Sequence, residues 1–421
     1  MTARRAGRPL WWAAGLVLVL AVAGGGWALT TGTENAVLPS APAESPSTSR
    51  EAAAAELLSE LVEELQDGDP AQLRALAAPI PESRREMQDL AANVRNLGIV
   101  DLSMRYLDEN EGRSVNGLPP RLRDRAWVGD VQLGWRLDGH DESPATLEAR
   151  LAFLETEDGA AFVSARGEWG SQVPLWMLDR LAVVESRRTL VMAATGRSEA
   201  QEYDAMVRRA IQDVGKVLPD FRGSVVVAAP ASQEDMTRVL ASKSSYGGIA
   251  AVTAPVDGSL APSAPTRIFL NPAVFDPLGE QGAQIVMSHE AAHVATDAAI
   301  STMPTWLLEG FADYVALAHL DLPVEVTASQ ILGQVRRNGP PERLPSESDF
   351  ESENKRLGAS YEAAWLACRL IEEEYGERRL IDFYEQADRD GGTDAAFREV
   401  LGTTQRELTA AWRTELQELA G

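Results

Sequence analysis

Residues 285–293 read Ile-Val-Met-Ser-His289-Glu290-Ala291-Ala292-His293, two histidines four apart with a glutamate beside the first. Four residues is close to one helical turn, so His289 and His293 project from one helix face and can hold one metal ion together. Imidazole suits Zn²⁺, which takes nitrogen ligands at about 2.0–2.1 Å. Glu290 stands beside them, where it can take a proton from a water activated at that ion. Two of the four histidines of the chain sit in this one motif.

Sixteen residues after His293 comes Glu309, in the stretch Pro-Thr-Trp-Leu-Leu-Glu-Gly-Phe-Ala-Asp-Tyr-Val-Ala-Leu. The apolar spacing of 305–318 predicts a second helix. A carboxylate there can complete a site of two His and one Glu and leave the fourth zinc position open, as a catalytic zinc requires. Asp313 lies four residues after Glu309, on the same helix face. A carboxylate so placed can accept a hydrogen bond from the free ring N–H of a metal-bound histidine. The neighbours Trp306, Leu307, Leu308, Phe311 and Tyr314 argue that this helix is not a solvated one.

His-Glu-Ala-Ala-His followed by Trp-Leu-Leu-Glu-Gly-Phe-Ala-Asp-Tyr-Val-Ala resembles the gluzincin class of zinc metallopeptidases, and within it the bacterial peptidase MA-like family. The resemblance covers residues 198–421 and its specific motifs occupy 289–313. It implies a peptidase with one zinc ion held by His289, His293 and Glu309. It implies Glu290 as the base and Asp313 as the partner of a ligating histidine. It also implies an edge strand that pairs with the substrate backbone, for which Gly-Gly-Ile-Ala-Ala-Val (247–252) is the candidate. Such enzymes use a Tyr or His to stabilise the oxyanion. Tyr361 is the favoured candidate, with Tyr375 and His319 as alternatives. The Gly-x-Met-Glu-Asn motif that marks aminopeptidases of this class is absent. The substrate expected is a peptide or protein. A rival reading is a binding scaffold whose zinc site is structural or inactive, and a second is another hydrolysis on the same zinc chemistry.

The elements that must carry this site come late in a 421-residue chain. A helix is expected from 198 to about 217, with Ser198 and Gln201 as a capping box. Strands follow at 223–230, 245–256 and 266–275, with a short helix opened by Ser232 and Asp235. From about 278 the pattern is nearly all helical, and Thr404 with Glu407 caps the last helix. This reads as a zincin-type domain over 196–421, a small mixed sheet with a mostly helical C-terminal part. Cys368 falls on an apolar helix face and reads as a small buried hydrophobe.

The preceding half reads as α+β. Helices over 51–66 and 82–96 are followed by four long alternating segments, which predicts a curved antiparallel sheet with helices on one face. Element order over 51–195 resembles, distantly, the cone-shaped nuclear-transport-factor-like domains. His140 is the sole histidine of that half and reads as a surface turn residue. Residues 31–50, rich in Pro, Ser, Thr and Ala, read as a flexible linker. Residues 1–30 read as a cytoplasmic tip and transmembrane anchor. Leu10 to Leu29 carry no charge, and twenty residues span about 30 Å. Arg4, Arg5 and Arg8 precede them, so the rest of the chain is expected outside the membrane. A cleaved signal peptide, cut after Ala23 or Ala28, is the competing reading. Both imply export.

Composition excludes other classes. Lys+Arg total 39 against Asp+Glu 63, a formal net charge of −24, which disfavours nucleic-acid binding. One cysteine rules out an intramolecular disulfide and a Cys-rich zinc site.

Overall fold

The structure is a computed structural model that describes residues 49–167, 169–240, 248–351 and 354–421. Helices of seven residues or more are numbered below. The chain is α+β with two sheets, as expected. The expected transmembrane helix is a correction to that picture. Among the described residues no helix is long and apolar enough to cross a membrane, and residues 10–29 lie outside them.

Three helices open the fold: α1 (Arg50–Asp67), α2 (Pro70–Leu76) and α3 (Pro81–Asn96). The sequence pattern predicts α1 and α3. The short α2 starts at an Asp69 cap with Pro70 at its first position, a helix start that apolar period does not reveal. An antiparallel meander follows, β1 (Ile99–Glu109), β2 (Ala126–Leu137), β3 (Ala145–Thr156) and β4 (Gly159–Ser164), paired in sequence order. β1 carries two register irregularities against β2, which bend and twist a sheet. Leu57, Leu58 and Leu61 of α1 and Met87, Leu90 and Val94 of α3 bury one face of this sheet.

The second sheet has the order β5-β6-β7-β9-β8, built from β5 (Ala182–Ser186), β6 (Thr189–Ala193), β7 (Val225–Ala229), β8 (Ala251–Pro255) and β9 (Thr266–Leu270). β6, β7 and β9 run parallel, and β5 and β8 are antiparallel edges. The boundary expected at 195 falls inside this unit, since β5 and β6 precede it and β6 pairs with β7.

β7 is five consecutive buried apolar residues because both faces of the sheet are covered. Val225, Val227, Ala229, Ile268 and Leu270 face α4 (Arg197–Val217) and α6 (Gly279–Ala295). Val226, Ala228, Val252 and Phe269 face the other way, into a core continuous with that of the first sheet. The two units therefore share apolar contacts rather than hanging on a linker. A buried ion pair at 2.6 Å, Arg267 on β9 with Asp141, reinforces the junction.

His140 is placed there too, which corrects the surface expectation. Its side chain is 6% exposed, with Nδ1 3.4 Å from Ser224 Oγ and Nε2 3.5 Å from Glu185. Three local corrections are smaller. α4 is capped at Gly196 (φ 130°) without a side-chain bond, so Ser198 and Gln201 form no capping box. The strand expected over 245–256 is formed from Ala251, and 241–247 lie outside the described residues. The strand expected over 266–275 stops at Leu270, where Pro272 opens a helical turn.

The remainder is helical: α5 (Gln233–Leu240), then α7 (Thr305–Leu317), α8 (Ser329–Asn338), α9 (Leu357–Tyr375), α10 (Glu377–Asp390) and α11 (Gln405–Ala420). Thr404 and Glu407 form the expected capping box on α11.

Candidate metal centre

α6 carries His289, Glu290 and His293 in its C-terminal half, at 0%, 0% and 1% exposure. The helix lies between α4, the sheet and α7, and small residues such as Ala283, Ala291 and Ala292 let it sit deep. α7 is buried from Trp306 to Ala316. A helix apolar on all sides packs inside the protein, so its two carboxylates, Glu309 and Asp313, are carried inward with it.

Gly310 sets how deep. A Cβ at that position would stand 2.4 Å from the Ala364 carbonyl oxygen and 2.9 Å from Cys368 Sγ. The α7 and α9 backbones touch there, next to Glu309. Cys368 is fully buried, as expected, and burial pushes its thiol up.

The donor atoms converge. His289 Nε2 lies 2.9 Å from His293 Nε2 and 3.2 Å from Glu309 Oε2. His293 Nε2 lies 3.4 Å from the same oxygen. The circle through three such points has a radius of about 1.8 Å, which does not exceed the zinc–ligand distance of about 2.0–2.1 Å, so the three donors could serve one ion. His289, His293 and Glu309 therefore lie close enough to hold a metal ion. The chemistry of the set also fits: two imidazoles with two carboxylates, Glu309 and Asp313, give a formal charge that a divalent cation balances.

Asp313 Oδ1 lies 2.7 Å from His289 Nδ1. A carboxylate can only accept here, so the ring proton sits on Nδ1 and the Nε2 lone pair faces Glu309 and His293. Burial disfavours a charged His289, but Asp313 and Glu309 outweigh it and hold its pKa up at about 10. Burial likewise disfavours a charged Glu309, yet His293 and His289 hold it down at about 2.

Glu290 is held by the edge strand. Thr253 Oγ1 on β8 donates to Glu290 Oε2 at 2.6 Å. Oε1 has no hydrogen-bond partner among the described residues. Burial raises the proton affinity of Glu290, and His293, His289 and Thr253 oppose that rise.

The structure brings together five of the residues read from sequence, His289, Glu290, His293, Glu309 and Asp313. Tyr361 joins them from α9, 1% exposed, its ring centroid 6.3 Å from that of His289. Tyr375 ends the same helix fourteen residues on, about 21 Å away along the axis. His319 lies beyond the end of α7 and is exposed. Of the expected substrate strand 247–252, Ala251 and Val252 belong to edge strand β8, and Gly247 lies outside the described residues. Sequence reasoning missed Thr253 and Gly310. No local pattern marks Thr253, whereas a glycine inside an otherwise apolar helix is a signal of close backbone approach. No protein-family model matches the chain, and no curated protein matches it.

Proposed function

We propose that the chain is a zinc-dependent peptidase of gluzincin type, with His289, His293 and Glu309 as ligands to one zinc ion. The observation that supports this most is a conjunction: three convergent donors, Asp313 on the back of His289, and a buried Glu290 with one unbonded oxygen. A purely structural site has no use for the last of these.

When bound, zinc supplies Lewis acidity, lowering the pKa of a water and polarising a carbonyl. Glu290 would accept a proton from the attacking water as the water oxygen bonds to the peptide carbonyl carbon. The same carboxyl delivers the proton to the amide nitrogen as the C–N bond breaks. Burial suits Glu290 to both halves, since a carboxyl of raised pKa gives back the proton it takes. Thr253 fixes its orientation, and Asp313 fixes that of His289. Tyr361 would donate to the carbonyl oxygen as charge builds there. β8, at the sheet edge, offers a backbone on which an extended peptide can add as a strand.

A second reading, a zinc-stabilised binding scaffold, is favoured by one observation: all three ligands are at most 1% exposed. Glu290→Gln separates the two. The amide keeps the size of the side chain but cannot take a proton from water near neutral pH. A peptidase keeps its zinc and loses hydrolysis of a peptide library by at least about 10²-fold. A scaffold turns over no peptide in either form. Hydrolysis unaffected by the substitution refutes Glu290 as the base.

A further inference from the structure

Beside the metal centre, α6, α7, α8 and α9 surround a cavity of about 330 Å³, within the range of about 300–1,000 Å³ typical of ligand pockets. Its walls include Leu278 and Ile285 of the α6 side, Leu317 of α7, Leu322 after it, and Trp365 of α9. Val326, 54% exposed, stands at its rim. Tyr361 and Asp313 form the wall shared with the metal centre, so an occupant sits one side chain away from His289.

The charge of this cavity is one-sided. Two carboxylates, Asp313 and Glu362, line it, and no Arg, Lys or His does among the described residues. Asp313 is committed to His289. Glu362 Oε2 accepts from Ile331 N at 2.7 Å, at the start of α8. The Gln330 backbone and side-chain amides also hydrogen-bond Glu362, and a carboxylate has about four acceptor positions. No ion pair among the described residues reaches Glu362. Burial, opposed by hydrogen bonds from Ile331 and Gln330, pushes its pKa up to about 7.

We propose that this cavity is a specificity pocket for a substrate side chain with an apolar stem and a cationic tip, lysine or arginine, with Glu362 as the partner of the tip. The stem of such a side chain lies along apolar walls while its head meets the charge. The proposal rests on the peptidase reading for its substrate class.

The test uses the full chain carrying Glu290→Gln, loaded with zinc, and fluorescently labelled peptides that differ at one residue: Arg, Lys, norleucine or Glu. Binding is read by anisotropy, so it does not depend on turnover. The Arg and Lys peptides are expected to bind at least about tenfold tighter than norleucine, the scale of one hydrogen bond to a charged group. Adding Glu362→Gln, which keeps an acceptor for Ile331 N, is expected to bring the ratio near one. Gln281→Lys, on the exposed rim of the cavity, does not disturb a core and is expected to reduce the same ratio by adding a competing cation. Norleucine binding as tightly as arginine overturns the proposal, and so does a basic preference that survives both substitutions. Hydrolysis by the parent chain is scored separately. Basic preference in binding without any cleavage refutes the peptidase reading while leaving the cation pocket in place.

Discussion

Asp313→Ala tests whether the contact behind His289 orients the metal site. In the parent chain the Nδ1–Oδ1 separation is 2.7 Å, and the two side chains are 0% and 7% exposed. The ring N–H loses its carboxylate acceptor. Removing a carboxylate that orients a ligating histidine typically weakens metal binding by about 10- to 100-fold, ~1.4–2.7 kcal/mol. The assay is competition for zinc between the full chain and a chelating dye at neutral pH. His289→Ala and Glu309→Ala mark the other limit, since each leaves two protein ligands and abolishes stoichiometric binding. Asp313→Asn is expected between the parent and Asp313→Ala, because its amide oxygen still accepts from Nδ1. Parent-like affinity in Asp313→Ala refutes an orienting role. Complete zinc loss, equal to that of Glu309→Ala, makes Asp313 a ligand and refutes the assignment of three.

Thr253→Val removes the hydrogen bond from Thr253 Oγ1 to the Glu290 carboxylate at nearly constant volume; peptide hydrolysis is expected to fall about tenfold with zinc content unchanged, and equal rates would mean that β8 does not position the base. Gly310→Ala forces a Cβ against the Ala364 carbonyl and is expected to lower unfolding stability by ~1–3 kcal/mol in a denaturant titration, weakening zinc binding with it. Gly333→Ala on α8, whose nearest contact is a flexible Arg337 tip at 3.4 Å, is the control and is expected to be neutral or slightly stabilising. Glu86, held by Ala165 N and Ser164 Oγ, is pushed up by burial to about 7 from 4.5. The folded state therefore binds its proton more tightly than the unfolded state. Its contribution to stability is complete below about 4.5 and is lost, by up to ~3 kcal/mol, as pH rises through about 7. Glu86→Gln is expected to flatten that part of the stability profile, as read by unfolding midpoints at several pH values.

The legible part of this protein is local. His289, Glu290 and His293 are one turn of one helix, so their shared face follows from helical period alone. Glu309 and Asp313 repeat the logic on a second helix whose apolar surroundings already excluded a solvated face. The pattern of β7, apolar at every position, likewise marked a strand covered on both sides before any partner was known.

What the tertiary structure decided are the distances between elements. Nothing local places the α6 histidines within 3.4 Å of an α7 carboxylate; packing through the α7–α9 contact at Gly310 does. Thr253 meets Glu290 only because β8 is the edge of a sheet on which α6 lies. That Tyr361 lies beside His289 is also tertiary, since the two come from different helices. The same holds for the unit boundary and for His140. The 21-residue helix α4 separates β6 from β7 in sequence, so a boundary at 195 leaves β5 and β6 with the preceding unit. They belong to the sheet beside the metal centre because parallel pairing of β6 with β7 brings together segments about thirty residues apart, a distance no local period encodes.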